Sequence, residues 1–350
     1  MPLIACGQIC STNDVGHNLA ISVQLARDAA AQGATALFLP EASDYISNNA
    51  HEGYLLAAPL ASHKYALGLQ AVAKELGIYI SVGIHERPGP EDMAGEAPGS
   101  ERVFNTHVCI SPDGTLKAFY RKLHLFDVQL KESSAASAGE SDRMIPGDRV
   151  PEPVDMGALG RLGMEICYDI RFPELHTILR RKGADIIAIP AAFTLPTGRA
   201  HWYTLVRSIA IAYQVYVVAS AQAGAHTPAR SSWGQALVFD PWGRELGRLP
   251  SIDETADPSK PMPSQFVLAE IDLAVVESVR EQIPLAFQKR EDVYGVVGRD
   301  ALALAPTTTT AAAEPYLLTR LWKGIQSMLG YGEPAIRLLP SHNDEKSTRY

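Results

Sequence analysis

Three residues far apart in this 350-residue chain have the types needed to open a carbon–nitrogen bond. They are Glu41 after FLP, Lys122 within FYRKLHLFD and Cys167 within EICYDIRFPE. A thiolate attacks carbonyl or nitrile carbon and leaves a thioester that water can hydrolyse. A free thiol titrates near ~8.5, so attack at neutral pH needs a base or a neighbouring cation. Glu41 can take the proton. Lys122 can favour the anion and stabilise a tetrahedral oxyanion beside a backbone N–H that follows Cys167. A carboxylate is a weak base in water, so Glu41 needs desolvation or a second carboxylate nearby, and the site should be a closed pocket. Singly, each residue has a plainer explanation: a helix cap for Glu41, a solvated strand end for Lys122, a core thiol for Cys167. Their combination favours chemistry.

Each of the three follows an apolar run that reads as a buried strand, so three strand ends can bring them together. Strands are expected at LIACGQI, ALFLP, IYISVGIH, FNTHVCIS, LKAFYRK, GRLGMEICY, DIIAIP, VYVVASA, GQALVFD and QFVLAEID, and helices over 16–32, 58–76, 172–182, 200–213 and 272–282. The turns Ser111-Pro-Asp-Gly114 and Asp240-Pro-Trp-Gly243 join antiparallel neighbours. The fold class is therefore α/β with a pair of mixed sheets flanked by helices. The stretches 87–101, 130–151 and 250–264 are rich in Pro, Gly and charge and read as surface loops. One domain is expected over 1–299, then a low-complexity linker at 300–313 and an amphipathic helix at 314–330 that covers a partner or packs on its own core. The tail at 331–350 reads as disordered.

The formal net charge of −8 argues against a nucleic-acid or anionic-membrane surface and favours a small-molecule substrate. No run reaches membrane-spanning length, and the chain enters a strand at once with no leader pattern. Four cysteines in apolar settings suit a reducing compartment. A cytoplasmic location is expected, with a mitochondrial pool also allowed. No metal or other cofactor is expected, because Cys6 and Cys10 lack a matching pair and His85-Glu86 lacks the second His of HExxH. A Cys-His hydrolase is the weaker reading, since neither His124 nor His201 has a supporting Asn or Asp motif.

The contexts FLPEASDYI, YRKLHLFDV, CYDIRFPEL, TGRAHW, YVVASAQ and DPWG together resemble the nitrilase superfamily of carbon–nitrogen hydrolases over nearly all of 1–299. The resemblance implies an αββα sandwich that commonly pairs into homodimers. It implies Glu41 as general base, Lys122 as transition-state cation and Cys167 as nucleophile. GQICSTND, GIHER at 83–87, KLHLFDV and FQKREDVYG at 287–295 are similar to the Nit branch related to deaminated glutathione amidase. Members of that branch cleave deaminated glutathione to 2-oxoglutarate and cysteinylglycine through a thioester. The neighbouring ω-amidase branch acts on 2-oxoglutaramate. The family also carries a second glutamate near the lysine. Glu140 is preferred over Glu132, because Glu140-Ser-Asp-Arg-Met-Ile-Pro-Gly147 keeps the proline-glycine ending of the family block.

Two departures from the family pattern stand out. Glu165 replaces a small residue two positions before Cys167, and strand period two would place both side chains on one face, where a carboxylate raises the thiol pKa unless paired. Pairing with an Arg or Lys would make it structural; otherwise a catalytically impaired binding or scaffold protein is the competing reading. In Leu205–Ala212, Ile209 and Ala212 stand where relatives carry an Arg and a Glu, the coupled loss of an ion pair that apolar packing can replace. Further candidates for the substrate pocket are Tyr168, Arg171, Phe193, Thr194 and Thr197. Arg171 can bind a substrate carboxylate or pair with Asp169 or Glu174; Phe193 can be core, and the threonines can serve a turn or cap.

Overall fold

The structure, a computed structural model, describes residues 1–128, 139–255 and 262–294. The expected linker, C-terminal helix and tail at 300–313, 314–330 and 331–350 lie outside the described residues, as does Glu132.

Two mixed sheets face each other. The larger runs Arg230–Trp233, Ala221–Thr227, Leu3–Ile9, Ala34–Phe38, Tyr79–Glu86, Phe104–Ile110, Leu116–Arg121, with Gln265–Glu270 also paired antiparallel to Leu3–Ile9. The smaller runs Glu245–Arg248, Leu237–Phe239, Tyr216–Ala219, Ile186–Ala188, Arg161–Met164, Val154–Asp155. Alternation along each strand decides the layers. In the first strand Ile4 and Cys6 point between the sheets, into a core shared with Leu162, Met164, Val217 and Phe239. Ala5 and Ile9 point outward, against Leu25 and Ala29 of the helix Val15–Ala31 and Leu69 and Val72 of Lys64–Leu76. Helices Pro173–Arg181 and Tyr203–Tyr213 cover the other sheet through Leu175, Leu179, Val206 and Ile209. The result is the αββα sandwich that the nitrilase resemblance implied.

Helix ends follow local chemistry. Asp14 caps the first helix by accepting from the His17 amide at 3.0 Å. The helix expected over 58–76 instead begins at Lys64, because Pro59 and a short 3-10 turn at Leu60–Ser62 interrupt it; it ends at Gly77, whose φ of 67° provides the left-handed stop. Ala50–Leu56 forms a helix that apolar periodicity did not reveal, capped by Asn49 on the Glu52 amide. The hairpin of Ala221–Thr227 and Arg230–Trp233 was also unforeseen. Ile209 lies in the core, Ala212 is exposed and Arg207 donates to the Gly243 carbonyl at 3.0 Å, so apolar packing takes the place of a charge at 209 and not at 212. All four cysteines are free thiols. No helix among the described residues is long and apolar enough to cross a membrane.

Candidate active site

Glu41 stands three residues beyond the strand Ala34–Phe38, on a segment pressed against the neighbouring strand. The Gly83 amide donates to Pro40 at 3.0 Å and the Ser43 amide to Gly83 at 2.9 Å. A β-carbon on Gly83 would lie 2.6 Å from the Glu41 Cα, so only glycine permits this approach. Gly83→Ala should displace the Glu41 backbone and lower kcat at least tenfold, at an overpacking cost of about 1–3 kcal/mol. Steady-state kinetics beside a melting curve checks it; unchanged kcat would show that Glu41 had not moved.

Lys122 immediately follows the strand Leu116–Arg121. Its backbone is tied on both sides, its amide to Asn105 at 2.9 Å and its carbonyl to the Gly147 amide at 2.8 Å. The buried ammonium donates to Glu41 at 3.0 Å and to both oxygens of Glu140 at 2.9 Å. Glu140 also accepts from the Phe126 amide at 2.7 Å, which ties it to the segment just after Lys122. Asn105 donates to Glu41 at 2.7 Å and to Glu140 at 3.3 Å, bridging the two carboxylates.

Cys167 departs from the expected geometry. The strand stops at Met164, and Cys167 opens a 3-10 turn, Cys167–Arg171, with φ of 45°. That left-handed backbone breaks period two, so the expectation that Glu165 and Cys167 share a face is overturned. Cys167 lines the cavity beside Glu41, whereas Glu165 is wholly buried and paired with His176, a histidine rather than an Arg or Lys.

Charge states follow from these contacts. Burial pushes the Cys167 thiol well above its usual value, and the Glu41 charge adds to this more than Lys122 offsets it. Burial works against an ionised Glu41, but the Lys122 charge and the hydrogen bonds from Cys167 and Asn105 hold its carboxyl below the usual range. Burial likewise opposes charge on Lys122, yet Glu140 and Glu41 raise it well above normal. At rest the site therefore holds a neutral thiol, an ionised Glu41 and an ammonium.

All nine residues singled out from the sequence line one cavity of about 540 Å³: Glu41, Lys122, Glu140, Cys167, Tyr168, Arg171, Phe193, Thr194 and Thr197. Tyr168 meets Phe126 edge-on at 5.1 Å. Arg171 lies 5.8 Å over Tyr168 and 5.7 Å over Phe193, and bonds His201 at 3.1 Å. It does not pair with Asp169, which is occupied by Tyr120, His124 and the Ile166 amide. The Thr194 and Thr197 hydroxyls bond each other at 2.8 Å in the turn they begin and end, and Phe193 packs on Trp202. His124 is bound to Asp169 at 2.7 Å and stacked on Phe172. Among the described residues no cluster of three His, Cys, Asp or Glu side chains suits a metal.

Sequence reasoning missed Asn105, Arg143, Arg230 and His85 in this cavity. Arg143 presents a buried Nε with no hydrogen-bond partner. Arg230, exposed at the rim, is within electrostatic reach of Glu41, Glu140 and Cys167. His85 donates from Nδ1 to buried Asp44 at 2.9 Å and stacks on Tyr45. Asn105 shares the strand Phe104–Ile110 with the polar Thr106 and His107, so its type alone did not single it out, and Arg230 had no signal because its hairpin was not read from the sequence.

A carbon–nitrogen hydrolase family profile matches residues 3–281. Deaminated glutathione amidase from Bos taurus is 38% identical over 299 residues, covering 85% of both chains, and that from Homo sapiens 37% over 299 residues with the same coverage. The crystal structure of the Caenorhabditis elegans NitFhit protein superposes with a TM-score of 0.71 at 37% identity, over 84% of this chain and 66% of that one. The chain belongs to the carbon–nitrogen hydrolase family, within the nitrilase superfamily. In that family it falls in the Nit branch that resembles deaminated glutathione amidase, and it is a cysteine-dependent hydrolase.

Proposed function

We propose that this enzyme hydrolyses the amide of deaminated glutathione, with Cys167 as nucleophile, Glu41 as general base and acid, and Lys122 as the oxyanion's cation. The observation that carries the reading is the buried Glu41–Lys122–Glu140 cluster beside Cys167 at one cavity that Arg143, Arg171 and Arg230 also line. The substrate has a carboxylate at each end, and guanidinium groups from three separate segments suit that charge pattern. A cavity of about 540 Å³ also has room for a tripeptide-sized amide, more than 2-oxoglutaramate needs. The names of the bovine and human relatives point the same way.

The charge states set the order of events. Because the thiol is raised and Glu41 lowered, proton transfer at rest is uphill, and it becomes favourable only as sulfur bonds to the carbonyl carbon. The Cys167 proton passes to Glu41 while the carbonyl electrons move onto oxygen. Lys122 and the Tyr168 amide meet that oxyanion, the Cys167 amide being already donated to Pro190 at 3.0 Å. Collapse breaks the carbon–nitrogen bond, and Glu41 returns the proton to the departing cysteinylglycine amine. Glu41 then takes a proton from water, which attacks the thioester, and that proton goes to the leaving sulfur. Glu140 holds Lys122 charged throughout.

A panel of deaminated glutathione, 2-oxoglutaramate and a simple nitrile, compared by kcat/KM, tests the substrate. Deaminated glutathione should exceed 2-oxoglutaramate by at least tenfold, and Arg143→Ala should shrink that margin by raising KM. Equal values for the two amides would refute the assignment.

A further inference from the structure

The geometry points to Glu165 and His176 as a positioning clamp for the Cys167 turn, held closed by one proton carried between the two side chains. The inference rests on Cys167 being the nucleophile; neither clamp residue lines the cavity. His176, on the helix Pro173–Arg181, is 2% exposed and Glu165 is fully buried. The imidazole reaches both flanks of the turn: Nδ1 meets the Glu165 carboxylate two residues before Cys167, and Nε2 meets the Ile170 carbonyl at 3.2 Å, three residues after it. One ring thus spans the segment that holds Cys167 at φ of 45°.

Both partners of the ring are acceptors, and a neutral imidazole carries a single N–H. The arrangement therefore needs one proton more than a neutral His beside a carboxylate, whether it resides on Nδ1 or on Glu165. Burial raises Glu165, which His176 only partly offsets; burial opposes charge on His176, but the Glu165 charge prevails and raises it. The surrounding groups favour keeping the proton. Buried Asp169 acts on both residues, and His107 Nδ1 donates to the Glu165 carbonyl at 2.9 Å. The Tyr213 ring meets His176 edge-on at 5.2 Å, while Tyr120 and His124 are engaged by Asp169. Glu165 Oε2 is buried with no partner, so an ionised carboxylate has nothing else to stabilise it once the proton leaves.

A group whose proton affinity is increased in the fold keeps its contribution at low pH and loses it as pH rises through the folded pKa. The clamp should therefore release on the alkaline side, and the Cys167 turn with it.

Glu165→Gln keeps the hydrogen bonds without the titrating proton, since the amide N–H donates to Nδ1 and Nε2–H to Ile170. The double variant E165L/H176L removes the clamp and leaves no buried charge, which guards against simple unfolding. Two rates would be followed against pH: amide turnover, and alkylation of Cys167 by iodoacetamide located by peptide mass. The ratio of E165Q to wild type should climb at least fivefold on the alkaline side for both rates. E165L/H176L should melt cooperatively and lose at least tenfold in kcat with KM within twofold. Superimposable pH profiles for wild type and E165Q in both rates would overturn the clamp. A divergence in alkylation alone, with no turnover of any amide, would support the clamp and reject the proposed activity.

Discussion

Lys122→Ala should lower turnover by about 10²–10³-fold and stability by about 3–5 kcal/mol in a single substitution. On the proposed mechanism the turnover loss follows from removing the cation that faces the developing oxyanion. The stability loss follows from burial: the ammonium, 2% exposed, donates to Glu41 and to Glu140, and without it Asn105 alone bridges two buried carboxylates. Burial and the neighbouring carboxylate then raise the folded pKa of Glu41 above the unfolded value of about 4.3, so that it takes a proton. A raised carboxyl stabilises below its unfolded pKa and loses that contribution as pH rises through the folded one, so the variant's deficit should narrow in acid and widen toward neutrality. Urea unfolding at several pH values, beside kcat, reads both effects. A wild-type unfolding midpoint at neutral pH would mean that Lys122 does not hold this cluster together.

Cys167→Ala should abolish turnover, a fall of at least about 10⁴-fold, while leaving stability within roughly 1 kcal/mol. The split is expected because the alanine keeps the β-carbon in the same turn, and Lys122 still satisfies Glu41 and Glu140. Intact-mass measurement after mixing with substrate should find an acyl adduct on wild type and none on the variant. Retained turnover would place the nucleophile elsewhere. Together the two substitutions separate roles that activity alone would merge: on the proposed mechanism Lys122 should serve both fold and chemistry, and Cys167 chemistry alone.

The fold and the heart of the site were legible in the sequence because both depend on short-range pattern. Apolar runs such as ALFLP and LKAFYRK mark strands by composition, and a polar residue just past such a run emerges where the strand ends, which is how Glu41 and Lys122 could be placed. The choice of Glu140 rested on a local ending, and the structure brings that residue onto Lys122.

Other features depended on long-range packing. Period two placed Glu165 beside the thiol, but the strand ends at Met164 and the left-handed backbone at Cys167 sends the two side chains to different environments. Nothing within the segment announces that turn, because a positive φ at a non-glycine residue is imposed by packing. The partner of Glu165 lies eleven residues on, across a helix whose docking sets the distance. Arg230 reaches the cavity from a hairpin, and Asn105 from a strand that pairs with the one leading to Lys122. Residue types and the succession of strands along the chain are written locally, and so is the class of chemistry. Which side chains face one another across tens or hundreds of residues is settled by how two sheets and their helices pack, and here that packing turned a carboxylate suspected of suppressing the nucleophile into one that faces away from it.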